Sequence, residues 1–484
     1  MATTAMTIQS DLLDEVFGED SVGDTPEARA RTSNRKFVRS QHQLSEYRPG
    51  ATGKILSAAE ALDLFQWDVL AELADRPATP ILVNGDEPYR TIENQLIQLG
   101  VSFADAARKQ RWSADSIRRF EERKQVPFRD LERLARGIDV EDEDRLGLTT
   151  ENQGDPQFGV RLRTLKGRDP RIFTTNTVLD LAETAWTIRK QLELASRVHA
   201  PELRAREELG FAPSDYYGGP GTPAWQVGYR LAEEARRLLN IGPDAPIESL
   251  KELVEVRLGI PVIQLELHTD LAGATVASRS QRGIAVNLNG DNGGNPLVRR
   301  MTIAHELGHF LWDPDDRLRR VVVDAYANIN RDAVRDTGHL EPEERRANAF
   351  AIEFLAPRDA IRKEYERSGG GAAGLSAVIQ SYGVSKVAAA RHLYNASHGM
   401  IDVIHERTDP PELDEWNGRE MLAVPLFVPQ TVPVSRRGRF AGYVLQALEA
   451  GQISRDTAAS LFGCDIADLE AALRSTRNYV LDAN

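Results

Sequence analysis

Apolar residues recur at helical spacing along most of this chain, and the interruptions divide it. From Leu56 to Ala74 the repeat is helical, and Ala78–Pro88 then reads as a short strand and turn. Between Thr91 and Leu148 lie four short amphipathic stretches, TIENQLIQL, FADAARKQR, SADSIRRFEER and FRDLERLARGI, whose spacing predicts a compact all-α helix-turn-helix domain. Next come a predicted strand pair, FGVRLRTL and RIFTTNTV, and a long helix from Leu179 to Val198. Leu181, Ala182, Ala185, Ile188, Leu192 and Ala195 share one face of that helix, the pattern of a packed stripe. The Gly/Pro-rich run Pro213–Trp225 is the clearest boundary in the chain.

Beyond that joint the period changes twice. Helices over Gln226–Leu239 and Ile247–Leu258 give way to apolar strands PVIQLEL, AGATVAS and GIAVNLN. Two strongly apolar helices follow at Asn295–Trp312 and Glu341–Pro357, then AGLSAVIQSYG and SKVAAARHLYNAS after the glycine run SGGGAAG. The tail predicts an irregular strand over PLFVPQTVPVSRRGRF and two or three helices turning at Gly451. The first 55 residues, rich in Ser, Thr, Gly and charge, read as a disordered arm. The expected division is therefore a disordered arm 1–55 and a helix-turn-helix region 56–148 (core 91–148). A helical spacer or dimerisation region with the joint spans 149–224, an α+β domain 225–400 and a C-terminal regulatory helical region 401–484.

Composition sharpens this picture. A length of 484 residues implies about three domains. The single cysteine, Cys464, excludes an internal disulfide framework and fits a reducing compartment. No apolar run is long enough for a membrane span, and the acidic N-terminus has no apolar signal core, so a cytoplasmic protein is expected. The net charge of −13 opposes nucleic-acid binding by the whole surface, yet Arg108–Arg136 holds ten Lys/Arg against five Asp/Glu. The acidic C-terminal helices suit a regulatory or dimer contact better than a second contact with phosphate.

The chemistry is concentrated in one helix. NPLVRRMTIAHELGHFLW begins with a good N-cap, Asn295, and a proline at the first helical position. It carries His305, Glu306 and His309, and histidines four apart on a helix can hold one ion between them. Neutral imidazoles leave zinc strongly Lewis-acidic, so a water on it has a pKa of about 7, and Glu306 is placed to take its proton. A third ligand is needed. Glu344, in the second apolar helix, is the leading choice; Asn348 shares its face and could steady it. Glu343, Asp315 and His339 are lesser candidates. By type, Tyr394, His392 and His398 could stabilise an oxyanion.

From about Trp225 to Met400 the sequence resembles the ImmA/IrrE family of zinc metallopeptidases, on MTIAHELGHFL, the later ERRANAFA run and EFLAP. That resemblance implies a thermolysin-like (zincin) fold, with Zn2+ held by His305, His309 and Glu344 and Glu306 as general base. It also implies a substrate docked by strand addition along the strand before the metal helix, Ile284, Ala285, Val286, Asn287 and Leu288. One departure is the 34-residue insert between His309 and Glu344, carrying VVVDAYANINRDAVRD.

The segment Thr91–Leu148 resembles XRE-type (lambda-repressor-like) DNA-binding domains through Ala107, Ile117, Glu121, Pro127, Leu131 and Leu134. The resemblance places Ala114, Asp115 and Arg118 near base edges and Arg111, Arg119 and Arg123 near phosphates. It departs at Phe103, where a polar residue usually stands, and at Arg111-Trp112 in place of turn glycines. The fold class expected is multi-domain and mainly α, a zincin domain beside an all-α helix-turn-helix domain. The function expected is a site-specific zinc endopeptidase and transcriptional regulator that cuts a repressor-type partner or itself. The alternative is a DNA-binding transcription factor whose zincin domain is a non-catalytic sensor or scaffold. Expected partners are DNA through 91–148 and a protein substrate, with a homodimer as an option and no membrane.

Overall fold

A computed structural model describes residues 10–82, 84–148, 155–200, 203–204, 206–213, 221–314, 318, 322–329, 331–335, 341–408, 413–420 and 429–482. The described residues are mostly helical with two four-stranded sheets, and the chain divides into two compact units. One comprises Met1–Thr164 with Val424–Asn484, the other Leu165–Ala423.

The first unit corrects the expected disordered arm. Residues 10–57 fold into α1 (Ser10–Phe17), α2 (Pro26–Thr32), β1 (Lys36–Arg39), β2 (Gln43–Glu46) and β3 (Lys54–Ser57). With α3 (Ala58–Asp75) and β4 (Ala78–Pro80) they build a sheet of order β3-β1-β2-β4 and a core of Leu13, Phe17, Phe37, Leu44, Leu56 and Phe65. One Thr of the expected arm, Thr25, is a helix cap, and so is Ser57 just beyond it. Thr25 accepts from the Ala28 N–H at 3.3 Å, and Ser57 forms a capping box with Glu60. These core residues come from five different elements, α1, β1, β2, β3 and α3, so most of their burial is non-local.

Four helices follow where the pattern placed them: α4 (Tyr89–Leu99), α5 (Phe103–Lys109), α6 (Ala114–Glu121) and α7 (Phe128–Gly137). The C-terminal helices Arg439–Glu449, Arg455–Phe462 and Ile466–Asp482 belong to this unit rather than to a separate tail. Asp456 accepts from the Ile55 N–H at 2.7 Å, and Ser460 Oγ donates to Glu132 at 2.6 Å. Of the irregular strand expected over 425–440, positions 425–428 lie outside the described residues. The rest holds a 3-10 turn, Val434–Arg436, and the start of a helix.

The boundary between the units falls within α8 (Pro156–Arg168), which corrects the first predicted strand of 149–200. Phe158 and Leu162, one helical turn apart, are fully buried, whereas Val160 between them is 43% exposed. The apolar alternation was one face of a helix sampled too briefly. Thr174, inside the second predicted strand (Arg171–Val178), caps α9 (Thr175–Arg197) by accepting from the Thr177 N–H at 3.2 Å, so the second half of that strand is helix instead. Most of the tail joint, residues 214–220, lies outside the described residues.

In the second unit α10 (Ala224–Leu238) and a short turn α11 (Leu250–Glu252) precede β5 (Val262–Leu265), β6 (Leu271–Ser278) and β7 (Gln281–Asn287). Then come α12 (Gly290–Gly294), α13 (Pro296–Trp312), β8 (Val322–Ala325), α14 (Tyr326–Ile329) and α15 (Pro342–Leu355). The helices α16 (Arg358–Arg367), α17 (Gly371–Tyr382) and α18 (Lys386–Ala396) complete the set that matters here. The sheet order is β5-β7-β6-β8, with β5 parallel to β7 and the other pairs antiparallel.

Two expectations fail on this sheet. The strand Ile284–Leu288 is no edge: β7 sits between β5 and β6, with Val286 opposite Gln264 on one side and Gly273 on the other. Leu288 too is committed, its N–H donating to the Leu265 carbonyl at 2.7 Å. The strand beside the motif helix on the far side of β7 is β6, and it too is interior, with β8 on the rim. The helix expected as a spacer, α9, instead packs against β5, β6 and β7. Ile188 of α9 lies against Gly283, while Thr275, opposite Ile284, faces α13 through Glu306. Because neighbours along a strand point to opposite faces, α9 and α13 cover opposite sides of the sheet.

Candidate metal centre and nucleic-acid interface

The motif helix forms as its ends predict. Asn295 accepts from the Leu297 N–H at 2.9 Å and Pro296 opens the first turn. At the other end buried Arg206 donates to the carbonyls of Phe310 (2.9 Å) and Asp313 (2.7 Å), groups a helix C-terminus leaves unpaired. α13 is buried on nearly all sides, so its polar residues must find partners inside the protein.

Those partners converge. His305 Nε2 and His309 Nε2 lie 3.2 Å apart. Glu344, in the first turn of α15, brings one carboxylate oxygen to 3.3 Å from His305 Nε2 and the other to 3.5 Å from His309 Nε2. Asp324 of β8 lies 3.5 Å from His305 Nε2. The four residues offer ligand atoms within 4.8 Å of one another. The two helices meet this closely because Gly308 has no side chain: a Cβ there would stand 2.8 Å from Phe350 Cδ1 of α15.

Around the cluster the sequence reading was incomplete. His309 Nδ1 bonds Asp313 at 2.9 Å, and Asp313 is held in turn by Arg346. Asp313 was legible as a residue four beyond His309 on the same helix face. Asn348, expected to steady Glu344, instead donates to the Asn328 carbonyl at 2.8 Å. Glu343 is outside the four-donor cluster, and Asp315 and His339 lie outside the described residues. Of the oxyanion candidates, His392 is engaged by Glu353 (3.2 Å) and Tyr229 (3.4 Å), and Tyr394 lies under the Arg335 guanidinium. His398 occupies a left-handed turn position.

Buried imidazoles and carboxylates perturb one another throughout the cluster. Burial opposes charge on His305, yet the carboxylates of Asp324 and Glu344, 3.5 and 3.3 Å from its Nε2, prevail and lift its pKa to about 10. Burial likewise opposes a charge on His309, while Glu344 and Asp313 raise its pKa well above the ordinary value. The two imidazoles conversely hold the Glu344 carboxyl far below the usual range, against its burial. Glu306 behaves differently. Burial and the charge of Asp324 push its carboxyl up to about 8, while Thr275 donates to Oε2 at 2.7 Å and Oε1 has no hydrogen-bond partner.

Residues 257–394 match the family model of the IrrE N-terminal-like domain, Peptidase_M78. Residues 61–148 match that of a helix-turn-helix domain. Together the two matches correspond to an ImmA/IrrE domain fused to a helix-turn-helix domain. No curated protein matches the chain.

Within the helix-turn-helix domain both departures from the usual pattern have a structural use. Phe103 stacks on Phe120 with ring centroids 4.3 Å apart and meets Trp112 edge-on at 5.6 Å. Ser102, one residue earlier, supplies the cap of α5. Arg111 takes the left-handed backbone (φ 58°) that glycine would provide, and Trp112 is buried, its indole N–H donating to the Asp130 carbonyl at 2.9 Å. Ala114, Asp115, Arg118 and Arg119 are exposed along α6, with Arg111 and Arg123 exposed beside it. Arg118 pairs with Asp115 at 2.6 Å, Arg119 donates to the Gln125 carbonyl at 2.7 Å, and Arg123 pairs with Glu93 at 2.7 Å. No described helix is long and apolar enough to cross a membrane.

Proposed function

We propose that the second unit is a zinc-dependent, site-specific endopeptidase of thermolysin-like design, joined to a DNA-binding module and acting as a transcriptional regulator on a repressor-type protein. The observation that carries this is the convergence of His305, His309 and Glu344 from two helices, with Glu306 beside them. Glu344 Oε2 and Asp324 Oδ2 are buried without a hydrogen-bond partner, so the donor set fits a divalent cation, and imidazole with carboxylate suits zinc. Held there, zinc would supply Lewis acidity to a peptide carbonyl.

The remaining chemistry belongs to the side chains. Glu306, beside the two imidazoles, can accept a proton from attacking water once a bound cation offsets the burial and the Asp324 charge that raise its pKa, and can return it to the leaving amine. Thr275 occupies Oε2, which leaves Oε1 as the oxygen that exchanges the proton. Asp313 fixes the His309 ring by bonding Nδ1, so that Nε2 faces the cluster. In the first unit Arg118 and Asp115, with Ala114, would read base edges from the exposed start of α6. Arg111, Arg119 and Arg123 would meet phosphates.

The non-catalytic sensor reading has one observation in its favour: Asp324 makes a fourth protein donor. Glu306→Gln separates the two readings. Zinc content should stay at one per chain while cleavage of co-expressed repressors and the regulatory output are lost. Output that survives the substitution refutes the enzymatic reading.

A further inference from the structure

The metal cluster is crossed by a strand that the hydrolytic reading does not need. β6 runs along α13 at atomic contact: Thr275 bonds Glu306, and a Cβ on Gly273 would meet Thr302 Cγ2 at 2.7 Å and Glu306 Oε1 at 3.4 Å. The outer edge of β6 is thus the strand edge beside the site, and an exposed strand edge is where an extended peptide docks. Here that edge is already paired. β8, carried by the 34-residue insert between His309 and Glu344, lies antiparallel to β6 with Thr275 opposite Val322 and Gly273 opposite Asp324.

The register shifts between Leu271 and Gly273, beside the residue that matters, and such irregularities re-aim side chains. Asp324 is 3% exposed, and its Oδ2 has no hydrogen-bond partner although it stands 3.5 Å from His305 Nε2. A buried carboxylate in that condition is costly unless a positive charge answers it. Catalytic zinc sites keep three protein ligands and one open position, whereas four protein ligands make a closed site.

We propose that Asp324 is a fourth protein ligand of the metal ion, delivered by a strand that fills the substrate's place on β6, so that the resting domain is latent. This rests on the reading of the cluster as a hydrolytic metal centre. Catalysis then requires β8 to leave the β6 edge, which withdraws Asp324 and frees the edge for a substrate in one movement. The regulatory signal acts on the insert, and no change in His305, His309 or Glu344 is needed.

The test uses the full chain loaded with Co2+, whose visible absorption reports ligand number, and acetohydroxamate as a probe for an open position. In the wild type the spectrum should not respond to the probe. In Asp324→Asn it should respond, and affinity for Co2+ measured against a chelator should fall about 10-fold or more. A wild-type spectrum that shifts at the same probe concentration as the variant overturns the proposal without depending on how well the variant folds. If Glu344→Ala binds Co2+ as tightly as wild type, the metal centre itself is misassigned and both readings fall. If Glu344→Ala loses the ion but Asp324→Asn changes neither affinity nor probe response, only the fourth ligand is refuted.

Discussion

Gly308→Ala tests whether helix packing sets the geometry of the metal site. The added methyl would lie 2.8 Å from Phe350 Cδ1, and carbon atoms rest at about 3.5–4.0 Å, so α13 and α15 must separate by roughly 0.7–1.2 Å. Two effects on stability oppose each other. Alanine in a helix interior gains about 1 kcal/mol over glycine, while overpacking a tight contact costs about 1–3 kcal/mol. The net change in urea unfolding should therefore be small, from near zero to about 2 kcal/mol lost. Metal binding has no such offset. His309 is the next residue on α13 and Glu344 stands on α15, so the separation falls between ligands whose distances tolerate only about 0.2 Å. Zinc affinity, measured by competition with a chelating dye, should drop at least about 10-fold. Adding Phe350→Leu should recover much of it by making room. Gly308→Ala protein that binds zinc as tightly as wild type would show that packing at this crossing does not set the donor spacing.

Three further outcomes are expected. Glu132 is buried between Arg136 (2.7 Å) and Lys54 (2.5 Å); burial raises its pKa but these cations lower it more. Its stabilising contribution is then present above the unfolded pKa of about 4.3 and lost as pH falls through the lower folded value. Glu132→Gln should cost about 3–5 kcal/mol near neutrality and flatten that acid limb, read by hydrogen exchange in α7; an unchanged pH dependence would count against the network. Burial, with the charges of Asp468 and Asp465, pushes the half-buried Cys464 thiol up to about 11, so alkylation at pH 7.5 should run about 100-fold slower than free cysteine. Labelling at the free rate would contradict this. Arg118→Ala should cost about 1–3 kcal/mol on a selected operator and relax one base position, whereas Arg111→Ala should lower the salt slope by about 1; equal effects at both would remove the assignment to α6.

The motif helix was legible because all its information is local. Asn295, Pro296 and the spacing of His305, Glu306 and His309 act over one or two helical turns, and the structure reproduces them. Glu344 could be chosen from type and face alone, since the first turn of α15 is equally local. The four helices of the helix-turn-helix domain were readable for the same reason. Reading failed where partners are distant. α8 and the first turn of α9 carry β-branched and alternating residues that mimic strands over a short window, whereas the rest of α9 was read as the helix it is.

The sequence alone thus nominated His305, Glu306, His309 and Glu344 for the proposed site, because a helix places side chains by counting. It could not determine which strand borders them. Edge and centre are set by pairings between residues far apart in the chain, and these put β7 inside the sheet and β8 on its rim. The same pairings carried Asp324 from an unremarkable insert to within 3.5 Å of His305, a meeting decided by tertiary contact and by no local pattern.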